Sequence, residues 1–182
     1  MRIAAVVLAL VCVAGNASEE RAPKPGTFCW PMHFAGVVPG ISQDMHVVRL
    51  LGRGAHRPRE DEGARYFVDV RRSATLRIAT FTDGIVGELS LEEGVSRTLS
   101  KSESRAAVSR AFSPSDGFGN WHALSLGATK GDVLQNLGEP ARRESDDAWI
   151  YDSTCTCELP EYMSIYFRSG RIVRVVFSAP PG

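Results

Sequence analysis

The chain has 182 residues, of which 43% are hydrophobic and 23% charged, and its 21 basic and 21 acidic side chains cancel to a formal net charge of zero. That is the composition of a globular protein long enough to bury a core. It excludes the global positive field on which nucleic-acid binding and adsorption to anionic lipid rest.

The first residues read as an export signal. Arg2 precedes the apolar run IAAVVLALVCVAG at 3–15, and Gly15 and Ala17 stand where small residues are needed for cleavage before Ser18. The run is short for a membrane span and no later stretch approaches the ~18 apolar residues that one needs. Residues 1–17 are therefore expected to be a signal peptide, and the protein periplasmic or secreted. Cys12 opens an alternative, an outer-membrane lipoprotein acylated on that residue. Val11 rather than a small residue precedes it, and apolar residues continue beyond it. Without residues 1–17 one arginine is lost, leaving 20 basic against 21 acidic groups.

Residues 18–38 form a polar, proline-bearing lead-in, expected to be extended. A first unit is expected over 39–95. Its helix starts with Ser42 as N-cap, presents Met45, Val48 and Leu51 as an apolar face, and stops at Gly52. The aromatic-rich strand YFVDV (66–70) and a hairpin turning at Gly84 follow, with Leu89 and Leu91 alternating beyond the turn. Residues 96–125 connect, with a Ser100–Glu103 capping box opening a weak helix that carries Ala106, Val108 and Phe112.

A second unit is expected over 126–178. Thr129 caps a helix carrying Val133, Leu134 and Leu137, ended by Gly138 with Pro140 beyond it. The strand WIYDS (149–153) and a hairpin turning at Gly170 echo the first unit. The spacing is 86 residues from Gly52 to Gly138 and again from Gly84 to Gly170, and 83 from Asp69 to Asp152. The pattern predicts an α+β fold of two similar units, each a short helix packed on a small antiparallel sheet.

The second unit resembles the SmpA/OmlA family, the small BamE-like lipoproteins of outer-membrane assembly. The resemblance rests on GATKGDVLQNLGEP at 127–140... then WIY, then MSIYFRSGRIVRVVF, and covers residues 126–178. A tandem of such units is similar in plan to the β-lactamase inhibitor protein fold. The resemblance implies an exported, non-enzymatic scaffold that binds an envelope or secreted protein, and transfers no binding residues. It also implies an alternative, a secreted inhibitor of a specific enzyme.

Few residues look like chemistry. No G-x-S-x-G elbow, H-E-x-x-H, Walker loop or G-x-G-x-x-G is present, His33, His46, His56 and His122 are scattered singly, and no cofactor is expected. The acidic runs Glu60-Asp61-Glu62 and Asp146-Asp147 suit solvated loops, and Arg53, Arg57 and Arg59 lie beside the first of them. Beyond the signal segment stand Cys29, Cys155 and Cys157. In an oxidising compartment a disulfide is expected, with Cys29 joined to one of the pair as the leading arrangement. A Cys155–Cys157 bridge, free thiols or an intermolecular bond are the alternatives. Cys29 with Met32 and His33 would suit Cu(I), the basis of a further alternative, a small envelope metal or redox protein. Nothing in the sequence brings the metal set together, so no metal residue is assigned. Trp149 and Tyr151 share one strand face and serve either the core or a protein partner.

Overall fold

The computed structural model describes residues 27–28, 34–57, 63–69, 73–95, 99–107, 125–153 and 162–179. In chain order these form β1 (Thr27–Phe28), α1 (Asp44–Leu51), β2 (Ala55–Arg57), β3 (Ala64–Asp69), β4 (Ala74–Thr80), β5 (Val86–Glu93) and α2 (Lys101–Ala106). They continue with α3 (Lys130–Leu137), β6 (Arg142–Ser145), β7 (Ala148–Ser153), β8 (Tyr162–Arg168) and β9 (Arg171–Ser178). The signal segment, Cys12, Cys29, Cys155 and Cys157 lie outside the described residues.

The strands build one sheet in the order β1-β7-β8-β9-β5-β4-β3-β2, with β6 also paired to β7. Every pairing is antiparallel except β1 on β7. The expected α+β fold of two units, each a helix on its own small sheet, is therefore overturned: strands from both halves join in a single, mostly antiparallel sheet. The join is the β5–β9 ladder, in which Leu89 faces Phe177, Ser90 faces Val176 and Leu91 faces Val175. Two separate sheets would each have left a strand edge with unmet N–H and C=O groups beside an apolar face. Pairing β5 with β9 satisfies both edges and fuses the two apolar faces into one core.

The 86-residue spacing reappears as backbone geometry. Asp44 N donates to Gly84 O and Val86 N to Ser42 O; Lys130 N donates to Gly170 O and Ile172 N to Ala128 O. Each helix start is thus tied to the turn of its own hairpin. Since Leu89 pairs with Phe177 and Leu91 with Val175, an approximate dyad passes through the Ser90–Val176 pair.

One face of the sheet and both longer helices enclose the main core. Val47 and Leu51 of α1 and Val133 and Leu137 of α3 are buried against Phe67, Leu76, Ile78, Leu89, Leu91, Ile165, Val175 and Phe177. The apolar face expected for the first helix was rotated: Val47, not Met45, is its buried partner to Leu51. Gln43 precedes α1 with no side-chain cap, while Thr129 caps α3 in a reciprocal box with Asp132, and Ser100 caps α2 with Glu103 as expected. On the other face Ala107, just after α2, and Leu99 cover Tyr66, Val68 and Ala79, and Val68 N donates to Ala107 O at 2.8 Å.

Candidate functional site

With Val47 and Leu51 turned inward, the 100° step of a helix points Met45 and Arg49 toward solvent on the opposite side. Met45 is 81% exposed, and Ile41, just before the helix, is 66% exposed; Leu50 on the flank is also exposed. Beside them a hollow of about 750 Å³ is lined by Met45, Val48, Arg49, Arg53, His56 and Arg65, with Asp44 and Gly54. Single exposed apolar residues are ordinary, and Leu50 stands about 140° round the helix from Met45; the feature that stands out is Met45 on the rim of the hollow beside Arg49.

Asp44 and Arg65 set the electrostatics. Arg65 Nε donates to Asp44 Oδ1 at 2.5 Å and Nη2 to Oδ2 at 2.7 Å, a bidentate fork, while Nη1 donates to Arg53 O at 2.9 Å. The hydrogen bond from Arg65 holds the Asp44 carboxyl below the usual aspartate range, against a smaller opposing effect of burial. Arg65 is thereby neutralised. Arg49 and Arg53 make no ion pair among the described residues, so the hollow's balance is positive.

The second half supplies an internal control. The residues 86 positions beyond Met45, Arg49, Leu50 and Arg53 are Gly131, Gln135, Asn136 and Glu139. Around α3, then, neither the exposed methionine nor the positive charge is present at these positions. In place of the Asp44–Arg65 pair, Lys130 Nζ meets Asp147 Oδ1 at 2.9 Å and lies 5.7 Å from the Trp149 ring centre.

Trp149 and Tyr151, read from the sequence as either core or partner anchors, belong to the core. Trp149 is 4% exposed, its ring edge-on to Phe167 at 4.7 Å, and Tyr151 is fully buried, its hydroxyl donating to Gly138 O at 2.9 Å. Burial pushes the Tyr151 phenol well up from its ordinary pKa. Both rings face the helices, so they offer no surface to a partner. Asp69 ends β3 and Asp152 is the last residue but one of β7, and Asp147 of the second acidic run holds Lys130. Among the described residues no three His, Cys, Asp or Glu side chains converge as metal ligands would. The exposure of Met45 could have been found by setting the two helices at the 86-residue spacing, which aligns Val47 and Leu51 with Val133 and Leu137.

No protein-family profile matches the chain, and no curated protein matches it in sequence. Among solved structures, the chain is similar to YjgB, a DUF4309 family protein from Bacillus subtilis, at 14% identity and a TM-score of 0.47, over 80% of this chain and 83% of that one. No helix of the described residues is long and apolar enough to cross a membrane.

Proposed function

We propose that this chain is an exported, non-enzymatic scaffold of the bacterial envelope that binds another protein through the outer face of α1. The observation that carries this reading is the 81% exposure of Met45 beside Arg49 and Arg53, where the matching positions of α3 are small, polar or acidic. The chemistry selects the occupant: a protein segment that places an apolar side chain on Met45 between carboxylates facing Arg49 and Arg53. A short helix with a surplus apolar surface serves such a contact, and no arrangement of acid, base and nucleophile in the described residues serves catalysis as well.

The test is crosslinked capture by the chain carrying its own export signal, in three forms: unchanged, Met45→Asp and Gly131→Asp. Gly131 has room for a side chain and a negative φ, so it is a fair control on α3. The expected outcome is one envelope or secreted protein captured by the unchanged and Gly131→Asp chains and lost with Met45→Asp. Retention by Met45→Asp at full yield overturns the assignment to α1. If the captured partner is an enzyme whose activity falls on binding, the scaffold is an inhibitor.

A further inference from the structure

We propose that the sheet face turned away from α1 and α3 carries, over β6 to β9, a binding site for a small acidic saccharide. This site is independent of the α1 surface. A cavity of about 400 Å³ lies on that face. Ile150 and Val176 give it apolar ground, Tyr162 and Tyr166 contribute rings, and Ser164 and Ser178 add hydroxyls. The ladder places these as cross-strand neighbours: Ile150 by Ser164 by Val176, Tyr162 by Ser178, and Tyr166 by Arg174.

Two groups in the cavity are arranged for something they do not yet meet. Arg174 is held in place at Nε, which donates to Ser90 Oγ at 3.0 Å, and its guanidinium lies 5.4 Å from the Tyr166 ring centre. Of the carboxylates on the cavity wall, Glu88 is taken by Arg77 at 2.6 Å and Glu144 forms no salt bridge with Arg174, while Arg142 on the same wall lies 3.7 Å from Asp152; Glu92, opposite Arg174 in the ladder, forms none with it either. Arg174 is thus an anchored cation with no carboxylate partner among the described residues. Ser178 lines the same cavity, is 93% buried (7% exposed), and its Oγ has no hydrogen-bond partner. Buried hydroxyls are normally satisfied, so Ser178 Oγ has hydrogen-bonding capacity left for a water or a ligand group.

The lining selects the ligand class. A planar guanidinium fork matches a carboxylate. Serine and tyrosine hydroxyls both donate and accept, as sugar hydroxyls do, and apolar ground with aromatic walls suits the C–H face of a sugar ring. A peptide is the poorer fit. On a sheet face the backbone groups are already spent in the ladders, so no main-chain pairing is on offer.

Calorimetric titration of the exported protein with a glucuronate-containing disaccharide and with its neutral glucose counterpart tests this. The expected result is saturable binding of the acidic sugar, roughly ten-fold tighter than the neutral one. Arg174→Met should erase that preference, and Arg174→Lys, which keeps the charge without the fork, should reduce it. Ser178→Ala should weaken both sugars several-fold while leaving the melting temperature unchanged or raised, because a buried unpaired hydroxyl is gone. Equal affinity for the two sugars, a preference that survives Arg174→Met, or no binding of either at millimolar concentration overturns the proposal. So does tighter binding of a tripeptide with a free carboxylate than of the acidic sugar.

Discussion

Asp44 and Arg65 show how one position can change the character of a surface. The strand position of Arg65 is that of Trp149 in the second half, since Arg65 pairs with Ile78 as Trp149 pairs with Ile165. An ion pair in one half is replaced by a ring and a lysine in the other. Replacing Asp44 by Asn should cost on the order of 1 kcal/mol at neutral pH, allowing for the solvent that reaches its 33% exposed side chain. The sign of the pH dependence follows from the lowered pKa. The stabilisation is fully present above the ordinary aspartate value, near pH 4, and is lost as pH falls through the lower value of the folded state. Urea midpoints of the two proteins should therefore differ at pH 7 and approach one another in acid; a gap that does not narrow as pH falls below the ordinary aspartate value would mean the carboxylate charge is not its source. That Trp149 and Tyr151 share a strand face was legible in the sequence, from period-two alternation alone. Which side the helices would cover was not.

The two longer helices are alike in length and unlike in how they begin. Thr129 Oγ1 accepts from Asp132 N at 3.1 Å, and the Asp132 carboxylate accepts from Thr129 N at 2.7 Å, which lowers the Asp132 pKa. Gln43 offers α1 no such bond, and Ser42, read as the cap from sequence, instead accepts from Val38 N through its hydroxyl at 2.9 Å. Thr129→Ala should therefore cost about 1 kcal/mol and Gln43→Ala only a few tenths, measured by chemical denaturation. Equal losses would show that capping does not distinguish these helices. The glycine stops at Gly52 and Gly138 were legible because both take positive φ, 88° and 73°. The strands β2 and β6 were not. Ala55-His56-Arg57 and the exposed Arg142–Ser145 carry no apolar alternation, and they are strands because a neighbour's edge recruits them. Register was also misread. The ladders set Val68, not Asp69, at the place of Asp152, a spacing of 84 rather than 83, and a one-residue slip exchanges the two faces of a strand.

At the scale of the whole molecule, β9 is central rather than terminal, bonded to β8 on one side and β5 on the other. Seen as the last strand of a second unit, its loss would unfold that unit alone. In the single sheet, truncation after Arg171 removes Val175 and Phe177 from the core and bares β5 and β8 together. The truncated chain should lose its cooperative transition entirely, in circular dichroism melts that follow the full chain as one step. A residual cooperative melt belonging to the first half would show that the β5–β9 ladder does not couple the halves.

By itself the sequence determined what depends on neighbours a few residues apart: the capping boxes at Ser100 and Thr129, the glycine turns at Gly84 and Gly170, the alternation of Leu89 with Leu91 and of Val175 with Phe177, and the 86-residue spacing. Local sterics and hydrogen bonding dictate these wherever the chain folds. Only the tertiary structure decided that β5 meets β9, that Trp149 and Tyr151 lie under the helices, and that Met45 and Ser178 stand on opposite sides of one sheet, exposed and unpartnered respectively. Those outcomes turn on pairings between segments about 86 residues apart, where an apolar face and an unpaired edge accept whichever complementary strand closes them both.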